Sequence, residues 1–121
     1  MEVDRLLFPC SHGAAEPERA IIPFIAAATA AVSGHRAAVV CTVDAVWIGT
    51  HGHATTIEAD GMPRLDDLVG QLVDNGGEIW LCSSCVTRRG IDEPDLRDGA
   101  QIVGAATLVD ALANGKAITL A

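Results

Sequence analysis

Apolar runs of strand length alternate along the chain with stretches of helical period. Residues 3–8 read as a first strand. Residues 16–32 follow as a helix, with Pro17 in the first turn and Glu16 and Glu18 suited to its positive end. Ser33-Gly34 closes it. Pro23 lacks an N–H and is expected to kink this helix or start a new turn. Residues 37–43 form a continuous apolar strand. A short helical turn is expected over residues 44–48, with Asp44 as its cap in preference to a pocket carboxylate. A loop rich in Gly, His and Thr comes next. Beyond Pro63, Leu65, Leu68, Val69, Leu72 and Val73 fall at helical spacing, with Asp66, Asp67 and Asp74 opposite. Asn75-Gly76-Gly77 is a strong stop. Residues 78–81 are a third strand that runs into Cys82. Residues 91–97 suggest a short helix and 101–103 a strand. Ala105, Leu108, Val109 and Leu112 mark a last helix, and 117–120 a final strand.

Strands separated by helices build βαβ units and a mostly parallel sheet. The central strands are continuously apolar, as in a sheet covered on both faces. The expected fold is therefore α/β: a three-layer α/β/α sandwich of about five strands, one domain over residues 1–121. No repeat, low-complexity tail or dividing linker interrupts it. In such sheets, sites gather at the carboxyl ends of the strands. That rule marks residues 9–13, Asp44 and residues 82–90.

Composition sharpens this picture. The chain has 121 residues, 20 of them Ala and none Tyr, so the core is aliphatic. Net charge is −8, which disfavours nucleic acid and anionic membrane as partners. The longest apolar stretch, residues 20–32, holds Pro23 and is shorter than the ~20 residues a membrane span needs. The opening MEVDRLLFPC does not read as a secretory leader. With four cysteines and no secretion route, free thiols in a reducing cytoplasm are expected. The first helix is apolar nearly all round, which predicts burial on more than one side and a homo-oligomer.

The chemistry-bearing motif is Cys82-Ser83-Ser84-Cys85, followed by Val86-Thr87-Arg88-Arg89-Gly90. Ser83 or Ser84 is expected to cap the segment after the strand. A thiol beside unpaired backbone N–H groups, with Arg88 and Arg89 near, favours the thiolate, the form that nucleophilic sulfur chemistry needs. The bland alternative is a pair of small buried residues.

The chain resembles the DsrE/DsrF-like family of sulfur-relay proteins, which includes TusD- and YchN-like members. The resemblance runs through Gly13 and Glu16-Pro17-Glu18-Arg19-Ala20, Ser33-Gly34-His35, and Asp44-Ala45-Val46-Trp47. It continues through residues 77–85, Arg89-Gly90 and residues 99–104. It implies a persulfide-carrying cysteine at Cys82, eight residues before Gly90, and matches Cys85 to the second cysteine of the YchN-like pattern. It also implies homotrimers, or hexamers built from trimers, and sulfur donor and acceptor proteins as partners.

Three chemistries stay open at this point. In the first, a sulfurtransferase or sulfur carrier, Cys82 takes sulfane sulfur and Arg88 or Arg89 stabilises the anion. Cys85 then either attacks the persulfide-bearing sulfur or stands by. In the second, Cys10, His12, Cys82 and Cys85 converge as a tetrahedral zinc set. In the third, Cys82 and Cys85 form a redox switch. No cofactor is expected. Two histidines make an incomplete ligand set, so His51 and His53 read as a solvated loop. Cys41 and Trp80 read as core, Asp92, Glu93 and Asp95 as a solvated helix start, and Trp47 as either pocket wall or interface. No phosphate loop is present and no Ser-His-Asp triad is supported.

Overall fold

A computed structural model describes residues 5–121. The expected start of the first strand at Val3 lies outside the described residues. Strands β1 (Leu6–Cys10), β2 (Ala37–Cys41), β3 (Glu78–Cys82), β4 (Ala100–Val103) and β5 (Lys116–Ala117) form one all-parallel sheet in the order β4-β3-β2-β1-β5. Between them run helices α1 (Pro17–Val32), α2 (Leu65–Asp74), α3 (Ser83–Arg88) and α4 (Ala105–Asn114). Short 3-10 segments lie at Val43–Gly49, His53–Thr56 and Glu93–Asp95.

Topology decides which face each helix covers. The chain steps outward from β1 to β2, β3 and β4, then returns past β1 to β5. Right-handed crossovers in opposite directions place their helices on opposite faces. Strand alternation shows the result. Phe8, Cys10, Ala37, Val39, Cys41, Ile79 and Leu81 join the core that contains Ala20, Phe24, Leu65 and Leu72 of α1 and α2. Leu7, Ala38, Val40, Trp80 and Val103 form a second, smaller core under Leu108 and Ala111 of α4.

Several expected boundaries shift for local reasons. α1 runs unbroken through the buried Pro23. The carbonyl that Pro23 leaves without an intrahelical donor belongs to Arg19, an exposed residue, so water can meet it. The broad apolar surface of α1 finds a partner within the chain, because α2 packs beside it on the same sheet face. β2 stops at Cys41, and Val43 turns into a 3-10 segment at φ 51°. The helix expected over 91–97 contracts to Glu93–Asp95. β5 covers Lys116–Ala117 only. The Leu6 N–H donates to the Arg36 carbonyl, whereas the Leu7 carbonyl accepts from Ile118. By that alternation Pro9 faces β5, where it has no N–H to continue the ladder.

Trp80 is structural, as expected. Its ring is buried, its Nε1–H donates to Glu78 Oε2 at 3.2 Å, and the Arg5 guanidinium lies 4.8 Å from the ring centroid. Among the described residues, no helix is long and apolar enough to cross a membrane.

Candidate functional site

The site is assembled at the carboxyl ends of β2 and β3. Cys82 closes β3, and the backbone bends there into α3 with Cys82 itself in the capping position. No side chain caps this helix, so the capping expected of Ser83 or Ser84 does not occur. Backbone N–H groups of Cys85 and Ser84, and the Cys85 thiol, instead reach the half-buried Cys82 sulfur. Partial burial pushes the Cys82 thiol upward. Together these donors outweigh it and hold the group below the ordinary value of 9.0. The thiolate is favoured by hydrogen bonds to the charged form.

Cys85 has its own donor. The Val43 N–H lies 3.2 Å from Cys85 Sγ. Val43 is the one non-glycine residue among those described with a positive φ. A β-branched residue rarely adopts that conformation. The neighbouring Asp44 does not cap the 3-10 segment; Thr42 holds that position. Its carboxylate instead accepts from Arg89 Nε at 3.2 Å and Nη2 at 2.9 Å. Arg89 Nη1 also donates to the Cys85 carbonyl at 3.2 Å. Arg89 therefore braces the backbone around Cys85, and the donors at the Cys82 sulfur are amides and a thiol. Arg88 is exposed in the last turn of α3.

Gly13 closes the site from the side of β1. A Cβ there would stand 2.8 Å from the Asp44 carbonyl oxygen, so glycine is what lets the two loops approach.

Cys10 and His12 do not join Cys82 and Cys85 in a ligand cluster. Cys10 is buried on the α1 side of the sheet, where its thiol points to the carbonyls of His12 and Ala20 at 3.6 and 3.7 Å. Burial pushes it up to about 11, partly offset by a backbone hydrogen bond at His12. The fully buried Cys41 is raised as well, first by burial and then by the neighbouring Cys10. His12 is half-buried with Nδ1 at 3.3 Å from Ser11 Oγ. The zinc set of Cys10, His12, Cys82 and Cys85 is thus corrected. Strand alternation sends Cys10 to the α1 side, while Cys82 falls in phase with Trp80 on the other. Among the described residues, no three His, Cys, Asp or Glu side chains gather as metal ligands.

Of the remaining candidates, His51 is exposed and its N–H donates to the Asp95 carbonyl. His53 is half-buried, lowered by burial, with its ring 6.1 Å from that of Trp47. Asp92 and Asp95 cap the short 3-10 turn reciprocally. The left-handed conformation of Val43 has no signal in the sequence. Nothing in a run of apolar residues announces a left-handed valine.

Comparison with known proteins places this geometry in context. The chain matches the DsrE/DsrF-like family over residues 4–120. An uncharacterized protein of Methanocaldococcus jannaschii, MJ0760, is 26% identical over 111 residues. That alignment takes in 92% of this chain but 40% of the relative, so the chain spans about two fifths of that protein's length. The uncharacterized protein MK0008 of Methanopyrus kandleri is 29% identical over 93 residues, covering 77% of this chain and 74% of its own. Among solved structures, the ychN protein from E. coli superposes with a TM-score of 0.77 at 18% identity, over 96% of this chain and 98% of that one. A protein of unknown function from Methanobacterium thermoautotrophicum, MTH1491, gives 0.68 at 18% identity with the same coverage. At such identities the structural likeness establishes the fold.

Proposed function

Because the chain belongs to the DsrE/DsrF-like family, we propose that it is a sulfur carrier whose working atom is the Cys82 sulfur. The observation that carries this reading is the set of amide donors from Ser84 and Cys85 on a half-buried thiol. They favour an anion that remains within reach of a partner molecule. In the reaction, the Cys82 thiolate attacks the outer sulfur of a donor persulfide. A Cys82–sulfur bond forms, the donor's sulfur–sulfur bond breaks, and the donor leaves as a thiolate. Sulfane sulfur moves without net oxidation or reduction. The proton of the transferred sulfur then passes to the departing donor thiolate, and the charge rests on the outer sulfur of the Cys82 persulfide.

Donor and acceptor are thiol-bearing proteins in this reading, and the compartment is a reducing cytoplasm. Self-assembly belongs to the same proposal. α4 keeps no side chain fully buried, and Val109 and Leu112 are 65% and 43% exposed. A second copy of the chain covers them, in a trimer or a hexamer. Sedimentation that finds only a 12.5 kDa species removes this part.

The sulfur-carrier reading is tested by intact-protein mass after exposure to glutathione persulfide. A Cys85→Ser chain, with Cys82 intact, gains the mass of one sulfur atom. Equal uptake by a Cys82→Ser chain overturns the assignment.

A further inference from the structure

The loop after β2 holds a feature that sulfur carriage at Cys82 does not require. Val43, a β-branched residue, sits at φ 51°, and its N–H is aimed at the second cysteine rather than the first. A non-glycine residue in this region is strained and persists where its surroundings over-determine it. Here they do. Asp44 is tied to Arg89, and Arg89 to the Cys85 carbonyl, so residues 43, 44, 85 and 89 form a closed ring of hydrogen bonds. That ring fixes one amide on Cys85 Sγ while the Cys85 thiol reaches Cys82.

We propose that Cys85 is the resolving thiol of this site, discharging a persulfide on Cys82 as hydrosulfide, with the Val43 amide as the donor that holds the Cys85 thiolate. The inference rests on the sulfur-carrier reading above. Its chemistry balances within the pair. The Cys85 proton passes to the outer sulfur of the Cys82 persulfide. The Cys85 thiolate attacks Cys82 Sγ, a Cys82–Cys85 bond forms, and the bond to the outer sulfur breaks. The outer sulfur leaves as hydrosulfide, reduced by two electrons, and the two cysteine sulfurs become the disulfide. An external dithiol reductant reopens that disulfide and resets the site. Asp44 and Arg89 act as positioning residues, since they touch the loop and the Cys85 backbone rather than the migrating sulfur.

The test is a single turnover. Chains are loaded with glutathione persulfide, freed of excess reagent and left without reductant, while hydrosulfide and non-reduced peptides are followed. The wild-type chain is expected to release about one hydrosulfide per loaded Cys82 and to accumulate the Cys82–Cys85 disulfide. Dithiothreitol then restores its capacity to load. Cys85→Ser is expected to keep its sulfur on Cys82, with release slowed at least tenfold. The wild-type chain decides the matter even if that variant does not fold, because release without a Cys82–Cys85 disulfide overturns the proposal. So does equal retention of sulfur by wild type and variant. Loading of Cys82 without resolution refutes this inference alone, whereas no loading in any chain refutes the sulfur-carrier reading and this inference with it.

Discussion

Arg89 donates twice to a single carboxylate oxygen of Asp44, from Nε at 3.2 Å and from Nη2 at 2.9 Å, across 45 residues of sequence. The pair joins the loop after β2 to the end of α3 and so connects the segment that carries Val43 with the one that carries Cys85. Arg89 is largely buried and Asp44 largely exposed, at 15% and 60% of their side-chain surfaces. Solvent screening keeps such a pair weak. Asp44→Ala is expected to lower stability by about 0.5–1 kcal/mol in urea unfolding. The same change frees the Val43 turn, so hydrosulfide release from a loaded chain is expected to slow several-fold.

A left-handed valine predicts an unusual substitution. Val43→Gly removes the steric cost of positive φ, which is roughly 1–2 kcal/mol. It also raises the entropy of the unfolded chain, a loss of about 0.5–1 kcal/mol. The valine side chain is 48% exposed, so little packing is forfeited. The glycine variant should be as stable as the parent or slightly more so in urea, and it keeps the N–H that faces Cys85.

Cys82 should ionise below the ordinary thiol value, because hydrogen bonds to its sulfur favour the anion. Ultraviolet thiolate absorbance is expected to show one transition below 9.0 that Cys82→Ser abolishes. Its effect on stability follows from the lowered folded value. The contribution is present above the unfolded value and is lost as pH falls through the folded one.

Cys10 gives the opposite dependence. Its folded value is raised from 9.0 to about 11 by burial. Stability from keeping this thiol neutral is full below pH 9.0 and is lost as pH rises toward 11. The loss is on the order of 3 kcal/mol, with Cys41 acting in the same sense. Unfolding experiments across this range should show a shallower alkaline decline for Cys10→Ala. Alkylating reagents should leave Cys10 and Cys41 untouched in the native protein.

The parallel sheet was legible because β2 is continuously apolar, β3 is apolar from Ile79 onward, and a helix of clear period separates them. Leu65, Leu68, Val69 and Leu72, closed by Asn75-Gly76-Gly77, mark α2 almost to the residue. The reach of β5 was not legible, since its length depends on which neighbour the missing Pro9 N–H faces. Cys82 and Cys85 stood out by spacing alone. Their donors did not, because the Asp44–Arg89 pair and the Val43 amide exist only once two loops meet in space. Cys10 looked like a ligand because it ends a strand, and strand parity turned it into the core.

The central claim is that the sulfur of Cys82 is the acceptor atom. Site-resolved fragmentation of the Cys85→Ser chain after brief exposure to glutathione persulfide tests it most directly. One added sulfur on Cys82, with Cys10 and Cys41 unmodified and the Cys82→Ser/Cys85→Ser double variant inert, is the predicted result. Sulfur found on Cys10 or Cys41 with Cys82 bare would contradict it.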